Sequence, residues 1–207
     1  MNKKGLFICF EGADGVGKST IINKIVPILM EQNNFTDYVY FHWKPIKKEM
    51  CINHIPSSPS QDPRGKTTRN LLLSLVFLSY HYLCYLYGYF FIIKPQINQK
   101  RLIIADRYTY DIYLDPKRFR LNLPKWILSA FVKMLPQPDI TIALTASPET
   151  IILRKPELSE DEIEQYQTTL TKSSIVKYLV VQNADGTPDE IVKDIFNKLN
   201  SIGISTN

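Results

Sequence analysis

This 207-residue chain has no cysteine pairing, no internal repeat and no block of like charge, and each lack removes a class of protein. Its three cysteines, Cys9, Cys51 and Cys84, stand far apart, in neither disulfide nor metal-ligand spacing. A disulfide-stapled miniprotein is excluded, and the odd, scattered count suits buried thiols in a reducing, cytoplasmic setting. The absence of a self-similar period excludes a repeat array. Lys and Arg number 25 against 20 Asp and Glu, a net charge of +5. The excess is scattered, so nucleic acid is not expected as a partner, while a small anionic substrate such as a nucleotide fits it. Asn2-Lys3-Lys4 could imitate the start of an export signal, but the apolar run after it is short and meets Glu11. No export signal is expected. With 44% hydrophobic and 22% charged residues, the composition is that of one globular domain with a substantial core.

Charge is also missing between Arg69 and Lys94. The stretch 71–93 is long and apolar enough to span a bilayer. It carries Ser74, Ser79, His81, Tyr80, Tyr82, Tyr85, Tyr87 and Tyr89, too many polar tips for a simple anchor. A span would also separate the motif around Lys18 from that around Asp106, which read as parts of one site. The expectation is a long central helix buried against a sheet rather than a span, with contact to a membrane surface or a lipid-linked substrate left open.

Short apolar runs alternate with helical patterns along the rest of the chain. Strands are expected at 6–11, 38–42, 102–106, 140–144 and 178–181, each nearly all apolar. Helices are expected at 19–31 with Pro27 inside it, from 71 to near Pro95, at 125–135, from Ser147-Pro148-Glu149 onward, at 159–171 behind a Ser159/Glu162 capping box, and from Thr187 to about Leu199. The segment 51–66, with Pro56, Pro59, Pro63, three serines and Gly65, reads as a flexible loop. This alternation predicts a single α/β domain over 1–207: a parallel sheet covered on both faces by helices.

Gly12-Ala13-Asp14-Gly15-Val16-Gly17-Lys18-Ser19 matches G-x-x-x-x-G-K-[ST] in full, with a strand feeding it and a helix leaving it. Glycines let successive backbone N–H groups curl around one anion, and the helix N-terminus adds its dipole. Lys18 would bridge the β- and γ-phosphates of ATP, the Ser19 hydroxyl would ligate Mg²⁺, and Thr20 could reach the α-phosphate. Asp106-Arg107-Tyr108 closes the third strand, at the edge where ligands gather in open parallel sheets. Asp106 there can hold a metal-bound water or accept a proton, and Arg107 can clamp a phosphate. Asp111, Asp115, Lys117, Arg118 and Arg120 make a charged, aromatic-rich loop, readable as an acceptor site or as solvated surface. Arg154, ahead of the charged stretch to residue 164, suits a lid over the transferring phosphoryl group or merely a helix C-terminus.

These motifs resemble the thymidylate kinase branch of the nucleoside monophosphate kinases. The segments that carry the likeness are Phe10 to Thr20, Asp106-Arg107-Tyr108, the strand and helix from Pro138 to Arg154, and Asn183-Ala184-Asp185-Gly186. The resemblance implies a P-loop fold with a five-stranded parallel sheet and Mg²⁺-dependent transfer from ATP. It further implies an adenine pocket beside Asn183 and Ala184, Asp14 facing the acceptor, and a homodimer packed through helices like the apolar one. Gly15 stands where some members place an Arg, which leaves Arg154 as the catalytic arginine.

The departures concern the acceptor. The Arg-Glu-Pro-Gly-Gly-Thr-type segment that follows the family's second strand is replaced by His42-Trp43-Lys44-Pro45, and the long helix has no Arg to hold the acceptor's phosphate. Asp14, Lys44, Arg107, Tyr108, Arg118 and Arg120 are the candidates to line the acceptor. A nucleoside monophosphate, a hydroxyl of a sugar, glycan or lipid-linked intermediate, and a non-kinase nucleotide switch are the three readings. A dianion without partners is costly to desolvate, which keeps the second reading in play.

Overall fold

The computed structural model describes residues 4–43, 45 and 67–203. Lys44, Cys51 and the expected loop 51–66 lie outside the described residues.

Five strands, β1 (Leu6–Glu11), β2 (Tyr38–His42), β3 (Leu102–Asp106), β4 (Ile140–Thr145) and β5 (Leu179–Asn183), form one parallel sheet in the order β2-β3-β1-β4-β5. The central strands are buried almost throughout, because helices cover both faces and leave no wet side for alternating polar residues. Edge strand β5 exposes Val181 and Asn183. Register aligns Phe10 and His42 with Asp106 and Thr145 with Asn183, so all five strands deliver their carboxyl ends to one edge. The chain turns from one half of the sheet to the other beside β1, and ligands enter open α/β sheets at such a point.

Helix α1 (Lys18–Asn33) runs through Pro27, which is exposed, so the carbonyl left without its N–H faces solvent. It packs against α8 (Pro188–Ser201), with Lys24 and Asp189 paired at 2.6 Å. Among the described residues the remaining helices are α2 (Leu71–Gly88), α3 (Lys94–Asn98), α4 (Asp111–Leu114), α5 (Lys125–Met134), α6 (Pro148–Arg154) and α7 (Glu160–Lys172). The expected capping box is present at α7 and repeated at α8, where Thr187 and Glu190 make the reciprocal bonds.

The long apolar helix departs from expectation twice. It does not stop near Pro95: a π turn over Tyr89–Ile93, closed by the Lys94 N–H on the Tyr89 carbonyl, links α2 to α3. The widened turn ends where Pro95, lacking an N–H, enters the first turn of α3. Nor is the helix buried all round. Ser74, Leu78, His81, Tyr85 and Gly88 form one buried stripe, while Leu72, Leu83 and Phe91 are 70%, 65% and 69% exposed. The buried stripe is tied into the domain: the Tyr85 hydroxyl donates to the Tyr108 carbonyl at 3.2 Å, and the Ser74 hydroxyl accepts the Asn122 N–H at 3.1 Å. The helix thus belongs to the domain's packing and does not separate the Lys18 and Asp106 motifs. Cys9 is buried and Cys84 half-buried.

Candidate active site

β1 runs directly into the glycine loop, and α1 begins at Lys18. Lys18 is buried, and its ammonium donates to the Gly12 and Ala13 carbonyls at 2.9 and 3.1 Å. Burial, with the like charge of Arg107, lowers its pKa against the pull of Asp106, Asp14 and Asp111. Ser19 and Thr20 are exposed on the first turn of α1. Gly15 has φ +90°, and a side chain there would begin 3.0 Å from both the Ile151 carbonyl and Lys155 Cβ. The end of α6 fills the space a loop arginine would need, and α6 supplies an arginine instead. Arg154 reaches back to the loop, its guanidinium 3.5 Å from the Val16 carbonyl. Between α6 and α7 stands only the five-residue connector 155–159, braced by a 3.0 Å Lys155–Glu157 pair; 160–164 of the expected lid open α7.

On the other side of β1, Asp106 ends β3 with one oxygen accepting from Tyr40 at 3.2 Å and facing His42 Nδ1 at 3.5 Å. Its other oxygen, Oδ1, is buried without a hydrogen-bond partner. Burial alone would raise this carboxyl, but the His42 hydrogen bond and the charge of Lys18 hold it below the ordinary carboxylate value. An ionised Asp106 with a free oxygen suits a metal-bound water. Among the described residues no three His, Cys, Asp or Glu converge, so a Mg²⁺ here would draw most of its ligands from phosphate and water.

Arg107 follows with φ +69° and is among the largest fully buried side chains. It donates to Asp14 at 2.9 Å, to Asp111 at 2.5 Å and to the Tyr166 hydroxyl at 3.3 Å. Asp14 accepts from Arg118 as well, at 2.5 Å, and despite burial the cations Arg107, Lys18 and Arg118 hold it far below the usual carboxylate range. The structure therefore brings Asp14, Lys18, Asp106, Arg107 and Arg118 together. Tyr108 does not join them: its ring is wedged between Phe7, Phe41 and Tyr85 in the core. Arg120 points elsewhere too, donating to the Thr67 carbonyl at 2.9 Å. Asn183 and Ala184 close β5: Ala184 is pinned to the Thr145 carbonyl at 2.6 Å, and Asn183 exchanges bonds with Asp185, which accepts the Ser147 N–H.

Three participants lay unassigned in the sequence. Glu11 accepts the Tyr108 N–H at 2.9 Å, and its second oxygen lies 3.4 Å from the Tyr166 hydroxyl, which donates to Asp111 at 2.7 Å. Tyr166 shares the buried face of α7 with Ile163 and Leu170 and looks like a core residue. Trp43, which stacks on His42 and lies under Arg118, was marked only by standing where the family has another motif.

Comparison with known proteins agrees with this geometry. A family model described as thymidylate kinase matches residues 10–187. A thymidylate kinase of Maridesulfovibrio salexigens is 26% identical over 94% of both chains. One of Lactobacillus acidophilus is 27% identical over 95% of this chain and 94% of its own. A probable thymidylate kinase of Sulfolobus acidocaldarius is 28% identical over 92% and 94%. The crystal structure of a thymidylate kinase from Ehrlichia chaffeensis has the same fold, with TM-score 0.59 at 18% identity, over 95% of this chain and 99% of that one.

Proposed function

This chain belongs to the thymidylate kinase family of ATP-dependent nucleoside monophosphate kinases, and from that premise we propose that it is a soluble, cytoplasmic enzyme transferring the γ-phosphoryl group of Mg²⁺·ATP to thymidylate. The observation that supports it best is the meeting of Lys18, Arg107 and Arg118 around Asp14 at the sheet's carboxyl edge, with Asp106 beside Lys18 and Arg107 and with Arg154 across the loop. The loop from Gly12 to Ser19, with Thr20, takes the triphosphate, and Asn183 and Ala184 border the adenine. Ser19 and Asp106 would hold Mg²⁺, which when bound would draw charge off the phosphate oxygens.

An oxygen of the acceptor's phosphate attacks the γ-phosphorus in line, and the bond to the bridging oxygen breaks to release ADP. A dianionic phosphate needs no base to surrender a proton, so the protein's part is positioning and charge stabilisation. Lys18 follows the charge onto the leaving β-phosphate, and Arg154 stabilises the transferring group. The neutral-hydroxyl reading leaned on missing anion-binding groups, and two buried guanidinium groups beside the loop answer it. A second copy of the chain is the occupant that fits the exposed, uncharged face of α2 and the π turn after it.

The test is Mg²⁺-dependent ADP release from ATP with each nucleoside monophosphate in turn and Lys18→Ala as the blank. Thymidylate should raise turnover to within the ~1–100 s⁻¹ typical of kinases. ATP binding without stimulation by any monophosphate would sink the proposal, and the next panel would be sugars and glycan intermediates.

A further inference from the structure

Around Asp14 the charges balance but the hydrogen bonds do not. Both oxygens of Asp14 and both of Asp111 are engaged, whereas Nε of Arg107, Nε of Arg118 and Nε1 of Trp43 are buried N–H groups with no acceptor. A buried donor left unmatched is costly, and Arg107 and Arg118 each carry one while holding Asp14, with the third on the Trp43 ring beneath Arg118. All three are donors, so what they lack is an acceptor, and beside two guanidinium groups an anionic one is favoured.

The surroundings show a built site. Arg118 is buried, its guanidinium 4.5 Å from the Trp43 ring centroid and its Nη1 on Asp14. It projects from a turn fixed on both sides. Its own N–H bonds the Asp115 carbonyl, while the Arg120 and Phe119 carbonyls accept from Arg69 and Arg120 donates to Thr67. Trp43 and Arg107 directly follow the adjacent strands β2 and β3 and both hold positive φ, +65° and +69°. Such backbone is strained and gathers at ligand clamps. The sheet order sets this corner apart from Asn183 and Ala184: β3 and β2 lie on one side of β1, and β4 and β5 on the other.

We infer that Arg118, clasped by Asp14 and laid across Trp43, is the second guanidinium of the acceptor's phosphate site, supplied from the turn after α4 in place of an arginine on the long helix. The inference rests on the monophosphate kinase reading above and names the residue that lets it hold without the family's usual grip. Paired guanidinium groups bind a phosphate with direction as well as charge, and stacking on Trp43 fixes the plane of one of them.

The experiment is calorimetric binding of thymidylate, and of thymidine as the same ligand without the phosphate, to the wild-type chain, Arg118→Met and Arg118→Lys, alongside steady-state kinetics. Arg118→Met is expected to weaken thymidylate roughly 10- to 100-fold with thymidine and ATP unchanged, and Arg118→Lys to fall between. Equal weakening of thymidine and thymidylate would reduce Arg118 to a structural counter-charge and overturn the inference. So would thymidylate affinity that Arg118→Met leaves intact, or a wild-type chain that binds both ligands alike. Tight thymidylate binding lost in Arg118→Met, but without turnover in the wild type, would overturn the kinase reading and leave this assignment standing.

Discussion

Burial, and after it the neighbouring Asp111 carboxylate, push Glu11 from 4.5 up to about 8, with Arg107 and the Tyr108 N–H pulling the other way. At neutral pH Glu11 is therefore the protonated member of the cluster. It can donate toward the Tyr166 hydroxyl, which donates on to Asp111, the partner of Arg107. Because the folded value lies above the unfolded one, folding binds this proton. The associated stability is whole below pH 4.5, falls as pH rises and levels off past about 8. Glu11→Gln keeps one acceptor and one donor without titrating. Urea unfolding should show the wild type losing ground to the variant across that window, and a constant difference from pH 4.5 to 8 would refute the account. None of this was visible in the sequence, where Glu11 is one more letter of the loop motif: a carboxyl's protonation depends on neighbours 97 and 155 positions away.

At the scale of elements, three strands were legible to the residue, because a strand buried on both faces is an unbroken apolar run. β5 begins and ends later than its apolar letters suggest, at Leu179 and Asn183, since Gln182 and Asn183 pair through backbone bonds that carry no hydropathy signal. The burial of α2 was misjudged for the opposite reason. A helix apolar all round has no periodicity to show which stripe faces the core. One letter on it is informative in hindsight: a Cβ on Gly88 would lie 2.2 Å from Pro45 Cγ, so α2 and the segment after β2 meet only over a glycine. Gly88→Ala would gain up to about 1 kcal/mol of helix propensity. Overpacking against a rigid ring costs about 1–3 kcal/mol and should win, lowering the melting temperature. An unchanged or higher value in a calorimetric scan would mean that the two segments yield.

For the whole molecule, the decisive surface is the one α2 and the π turn leave bare. Leu72, Leu83 and Phe91 are more than half exposed on a stretch with no charge from residue 70 to 93, and exposed apolar faces of this kind mark interaction sites. Pairing two copies through this face buries it with matching chemistry on both sides. Light scattering after size exclusion should give a dimer for the wild type, and a monomer for Leu72→Lys combined with Leu83→Lys and Phe91→Lys. A wild-type monomer would return the face to other partners, a lipid surface among them.

The sequence by itself determined the sheet, the phosphate-binding loop and the kind of chemistry, because each is written in local spacing: apolar runs, glycines at fixed intervals, a lysine and hydroxyl at a helix start. Tertiary structure alone decided that Arg118 and not Arg120 faces Asp14, that Tyr108 belongs to the core, that Glu11 holds a proton and that half of the long helix is bare. These outcomes rest on contacts between residues distant in the chain, where direction, burial and charge are set by the neighbours that folding brings and not by adjacent letters.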